Sequence, residues 1–147
     1  MNPQLKPLFE IFESIASAKN KAERVKILKD HNFLHVRDVL RGAYDNQIQW
    51  DLPEGCPPYE EYEPAVKEEN NGNLRRATKK LSYLVEGGPG KNLSKVKKEQ
   101  MWLSIIETLH PKDVDILVLM KDKELAGVYK GLTKNLVREV WPGLIRD

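Results

Sequence analysis

The chain has a single cysteine among its 147 residues, Cys56. A lone thiol excludes an intrachain disulfide and the usual four-cysteine zinc sites, and it fits a reducing cytosol. Long apolar runs are also missing. The longest, Val114 to Met120, is broken by Asp115 and followed by Lys121-Asp122-Lys123, far short of the roughly 20 residues a spanning helix needs. Met1 to Glu13 mix Lys6 and Glu10 into an apolar-periodic pattern and lack the unbroken apolar stretch of a secretory signal. No membrane partner and no export address are expected. Neither sign of charge dominates, since 24 Lys/Arg stand against 22 Asp/Glu, a net +2. With 40% hydrophobic and 31% charged residues, the composition is that of a folded globular chain.

The small net charge hides a segmental pattern. Residues 45–70 hold one Lys/Arg and eight Asp/Glu, whereas residues 71–100 hold eight Lys/Arg and two Asp/Glu. An acidic stretch therefore precedes a basic one, and the two could pair internally or each face a partner.

Hydrophobic periodicity gives the architecture. Leu5, Leu8, Phe9, Phe12, Ile15 and Ala16 recur at helical spacing and predict a first helix. Asn20 followed three residues later by Glu23 reads as a capping box for a second over about 21–30, burying Val25 and Leu28. Val36, Val39, Leu40 and Ala43 mark a third. Pro53, Pro57, Pro58 and Pro64, with Asn70-Asn71-Gly72-Asn73, predict a long loop over 45–73, pinned to the core by Trp50 and the tyrosines. Leu74, Ala77, Leu81, Leu84 and Val85 give a fourth helix, stopped by Gly87-Gly88-Pro89-Gly90. Ser94 caps a fifth, running to about Leu109 and burying Val96, Trp102, Leu103, Ile106 and Leu109. His110 and Pro111 open a sixth with Val114, Ile116, Leu117, Val118, Leu119 and Met120, and Thr133 caps a last one with Leu136, Val137 and Val140. The expectation is a single all-α, bundle-like domain over 1–147 with six or seven helices. It comprises an N-terminal helical unit (3–44), a Pro-rich acidic loop (45–73) and a C-terminal helical unit (74–145).

No catalytic constellation emerges. Gly87-Gly88-Pro89-Gly90-Lys91-Asn92 resembles a phosphate loop, but Val85 stands where the Walker pattern needs glycine and Asn92 where it needs Ser or Thr. His31 and His35 are four apart, yet Asn32-Phe33 puts a turn between them and neither Asp30 nor Asp38 completes a metal site. Cys56 has no neighbouring base, and Glu54, Glu60 and Glu61 disfavour its thiolate. No cofactor and no metal are expected, and the chain reads as a non-enzyme.

Three blocks carry a family resemblance: Leu40 to Tyr59 (LRGAYDNQIQWDLPEGCPPY), Leu81 to Leu125 and Tyr129 to Ile145 (YKGLTKNLVREVWPGLI). The chain resembles a family of small proteins of unknown function from T-even-like tailed bacteriophages, including phages of marine bacteria and cyanobacteria. The resemblance implies a protein made in the cytoplasm of an infected bacterial host, serving replication, transcription, host takeover or assembly. It transfers no site residue.

The expected function is that of an accessory protein binding a host or phage protein through Trp50, Tyr59 and Tyr62, residue types enriched at interface anchors. The alternative is nucleic-acid binding through Arg75, Arg76, Lys79, Lys80, Lys95, Lys97 and Lys98, each able to neutralise a phosphate. A further alternative is a minor virion or assembly component.

Overall fold

Pro111 fixes φ where the first residue of a helix needs no donor, and His110 Nδ1 accepts the Lys112 N–H at 3.1 Å. The helix so started runs Pro111–Lys121 and is apolar nearly all round, with Val114, Ile116, Leu117 and Met120 fully buried. The computed structural model describes residues 6–62 and 67–146, Lys67 and Glu68 by their backbone alone. Leu5 and Pro64, which entered the patterns above, lie outside the described residues.

In chain order the helices are α1 (Leu8–Ser17), α2 (Lys21–Asp30), α3 (Leu34–Tyr44), α4 (Lys67–Lys80), α5 (Lys95–Ile106), α6 (Pro111–Lys121), α7 (Leu125–Val128) and α8 (Lys134–Val140). The domain is all-α, and among the described residues its one extended pairing is an isolated antiparallel bridge between Trp50 and Val85. Each of the seven anticipated helices is present, though α4 ends at Lys80 and Leu81–Leu84 follow as a 3-10 turn with Val85 extended, and the four-residue α7 is additional. α3 and α1 pack on α6, α2 on α1, α8 on α2, and α4 on α3. Leu8, Ile11, Phe12 and Ile15 on α1 are at most 1% exposed, each contributing about 1.5–3 kcal/mol by burial. The Asn20, Ser94 and Thr133 side chains accept N–H groups at the starts of α2, α5 and α8, where the sequence places them.

α1 has no cap of its own, because Pro7 occupies that position. Asp113 of α6 supplies one from across the core: its Oδ1 accepts the Phe9 N–H at 2.9 Å and its Oδ2 accepts Asn70 Nδ2 at 2.7 Å. Burial pushes this carboxyl above its ordinary range, against the pull of the Asn70 hydrogen bond.

That network corrects the loop boundary. The Asn70-Asn71-Gly72-Asn73 stretch is helical, since α4 already starts at Lys67. Asparagine disfavours helices when its side chain competes for nearby backbone groups. Here those side chains are engaged elsewhere: Asn70 with Asp113 and with the His110 N–H (2.8 Å), Asn71 with Lys6 O (3.3 Å), and Asn73 with Thr108 O (2.8 Å).

The face of α5 is corrected as well. The helix ends at Ile106, and it buries Lys98, Trp102, Ile105 and Ile106, whereas Val96 stays 63% exposed. The inward row is thus 98, 102, 105, 106, Leu103 packs half-buried at its edge as anticipated, and Val96, Glu99 and Gln100 turn outward.

Candidate functional site

Residues 45–62 form a strap without helix, fastened at successive points to the bundle. At its start, Asp45 is 1% exposed and accepts Gln47 N–H at 2.8 Å and Arg146 Nε at 2.9 Å. Burial alone would raise this carboxyl, but the Gln47 N–H and the Arg146 guanidinium outweigh it and hold the pKa low. Lys123, in the left-handed region at φ 61°, donates to Gly42 O (2.8 Å) and Asp45 O (3.1 Å), satisfying carbonyls at the end of α3. Trp50 follows, half-buried, its indole N–H on Gly42 O at 3.0 Å. A Cβ on Gly42 would lie 2.7 Å from Trp50 Cζ2 and 2.8 Å from Met120 Sδ, so glycine is what lets the indole seat there.

The next fastening is an ion pair. Lys98 Nζ donates to Asp51 Oδ2 at 2.5 Å, and Lys98 is 3% exposed. The hydrogen bond from Lys98 holds the Asp51 carboxyl below its ordinary range. Farther on, Lys121 Nζ donates to Pro53 O (2.9 Å) and Asp122 Oδ1 (2.7 Å), while Asp122 Oδ2 accepts the Gly55 N–H (3.0 Å). Tyr59 packs half-buried on the core, and the Tyr62 hydroxyl donates to Glu69 at the start of α4.

These fastenings hold the strap against α5 but leave a groove between them of about 390 Å³. One wall is Pro53, Pro57 and Pro58 with Glu54 and the exposed Cys56; the other is Val96, Leu103, Gln100 and Glu99, with Trp102 beneath. Burial and the nearby Asp115 push the Cys56 thiol up, so it stays protonated at neutral pH. Tyr59 is likewise pushed up by burial and by Glu61.

A second surface lies along α4. Arg75, Arg76, Lys79 and Lys80 are all exposed. Arg75 and Lys79 line one groove with Phe33, Leu34, His35 and Thr78; Arg76 and Lys80 line another with Met101 and Ser104 of α5. Burial, then the Arg75 charge, lowers the His35 pKa to about 4, so this imidazole is neutral. His31 is also buried and its Nδ1 lies 2.7 Å from Ile27 O. Among the described residues no three His, Cys, Asp or Glu side chains gather as metal ligands would.

The anticipated site residues therefore separate. Trp50 and Tyr59 pack half-buried on the core, and Tyr62 meets Glu69 through its hydroxyl. Lys98 cannot meet a phosphate, because it is buried against Asp51; this corrects its place in the basic set. Lys95 and Lys97 are exposed on α5, and the other four cations form a ridge on α4. The groove residues Val96, Leu103, Pro57 and Pro58 were missed as a site. Their only signal is the 96-99-100-103 spacing, which the expectation of a buried Val96 hides.

A family model matches residues 11–127, which take in the strap, the groove and the α4 ridge. The chain belongs to the family of unknown function (DUF6433). No curated protein and no solved structure matches it. The matched span runs from Ile11 in α1 to Gly127 in α7, and α8 lies beyond it.

Proposed function

We propose that this protein is a non-enzymatic bacteriophage accessory protein that acts in the cytoplasm of the infected bacterial host by binding a protein partner, and that the partner docks in the groove between the strap and α5. The observation that carries this reading is the groove itself. Its strap wall is fastened by Lys98 to Asp51 and by Lys121 and Asp122 to the Pro53 carbonyl and the Gly55 N–H, and a largely apolar cleft lies between that wall and α5. A few exposed apolar residues are ordinary on any surface, whereas a cleft lined by proline, valine and leucine is a ready receptor for an apolar anchor. The phage source is supported by the resemblance of Leu40 to Tyr59, Leu81 to Leu125 and Tyr129 to Ile145. Among the described residues no serine, threonine or cysteine nucleophile is hydrogen-bonded to a side-chain base, as an enzymatic reading would want. The test is capture of partners from infected cells by the tagged protein and by its Val96→Asp/Leu103→Asp variant. A partner that survives nuclease treatment and is lost with the variant supports the reading; partners retained by the variant refute it.

Nucleic-acid binding along α4 is the second reading. It is favoured by one observation: Arg75, Lys79 and Lys80 form no ion pair among the described residues, and Arg76 meets only Asn73. Partners lost on nuclease treatment would favour it.

A further inference from the structure

Resting on that docking reading, we infer that the groove between the strap and α5 takes a short peptide segment in which an aliphatic side chain stands next to lysine or arginine. The apolar part follows from the walls. Pro57 and Pro58 face Val96 and Leu103 across the cleft, and about 390 Å³ admits a few residues of chain and not a domain. The cationic part follows from charge. Each wall carries one carboxylate, Glu54 on the strap and Glu99 on α5, and neither has an ion pair among the described residues. The cations next to the groove do not neutralise them: Lys98 is held by Asp51 and Lys121 by Asp122, and Lys95, one turn before Glu99, makes no ion pair with it. At Cys56 the charges of Asp115 and Asp122 oppose that of Lys121, and burial with the two carboxylates outweighs the lysine. An acidic segment or a nucleic-acid backbone would be repelled here, and a purely polar segment would leave the apolar walls wet.

Cys56 makes the groove testable, because the chain's one thiol sits on its wall and is exposed. Peptides selected on the full chain from a random display library are synthesised and assayed for slowing Cys56 alkylation by iodoacetamide. The expected result is that the selected peptides share an aliphatic residue beside lysine or arginine and protect Cys56. Their affinity should fall about tenfold when the protein carries Glu54→Lys and Glu99→Lys, and as much when the peptide's cation becomes glutamate. The peptide-side exchange keeps the test valid should the double variant not fold. Peptides that protect Cys56 without a cation would overturn this chemistry and leave the docking reading standing. Protection that rises with protein concentration alone would show a second copy as the occupant and overturn it. Selected peptides that leave Cys56 unprotected would overturn both this inference and the groove as the docking site.

Discussion

Along the strap, Asp45 meets Arg146, Asp51 meets Lys98 and Asp122 meets Lys121 and the Gly55 N–H, whereas along α4 the charges of Arg75, Lys79 and Lys80 meet no carboxylate among the described residues. In sequence the two stretches look like mirror images, one acidic and one basic. The fold uses them differently. Carboxylates of the strap hold a segment without secondary structure against the bundle, because a loop this long has few backbone partners and gains order from charge-assisted bonds. The cations of α4 are free of that duty, because the helix already has its backbone bonds and its Leu74 and Ala77 face to hold it. Charge that fastens is costly to remove, and charge that faces solvent is not.

The largest effect expected from that difference is at Lys98. Lys98→Ala leaves Asp51 without its cation and opens space beside Trp102, so it should lower the urea midpoint clearly, with faster proteolysis between residues 45 and 62. Lys95→Ala, three residues away and exposed, should change stability by less than about 0.5 kcal/mol. Equal effects at the two positions would erase the contrast.

Acid separates the two regions next. His35 beside α4 has its pKa lowered from 6.5 to about 4, so the unfolded chain binds a proton before the fold does. Its contribution is complete above pH 6.5 and is lost as pH falls toward 4, at most about 3 kcal/mol. Asp51 in the strap is depressed below 3.8, so its contribution persists above that value and is lost only as pH falls further, through the folded pKa. Urea midpoints measured against pH should therefore slope between 6.5 and 4 in the natural chain and lose that slope in His35→Gln. A slope that survives the substitution would place the titration elsewhere.

A smaller effect tests whether Trp50 is a fastening or a free anchor. Gly42→Ala forces a methyl against the indole and Met120, and overpacking of this kind should cost about 1–3 kcal/mol and red-shift the tryptophan emission. A Gly42→Ala variant as stable as the natural chain would mean that the indole swings out readily, which would restore Trp50 as a docking residue.

What could be read in advance follows the same division between local and distant bonds. The capping side chains of Asn20, Ser94, His110 and Thr133 act on N–H groups two or three residues away, and the apolar stripes of α1, α3 and α6 repeat within a few turns, so both were legible. Asn70 was not, because the partners that make it helical are Asp113 and His110, some forty residues on. The α5 face was misread because Val96 outranks Lys98 on any scale of hydrophobicity, and only the Asp51 carboxylate, 47 residues earlier, makes the lysine the inward residue. The candidate groove depends on the α5 correction, since Val96 lines it only because it turns outward, and so it was not legible as a site.

The smallest effect lies on the α4 ridge. Replacing Arg75, Arg76, Lys79 and Lys80 by glutamate reverses four exposed charges and leaves Leu74, Ala77, Leu81 and Leu84 in the core, so helicity should be retained and thermal unfolding little moved. The natural chain should bind duplex DNA weakly, on the order of ten micromolar or poorer at physiological salt, in the range of non-specific association. Its log–log salt slope should be about 0.9 for each phosphate contacted, which caps the slope near that of four contacts from the ridge plus any from Lys95 and Lys97. Lys98 adds nothing, because its ammonium is occupied. Filter binding at several salt concentrations measures both quantities. Submicromolar, salt-sensitive binding abolished by the four-glutamate variant would make the ridge the working surface and the groove the bystander, reversing the ranking of the two regions.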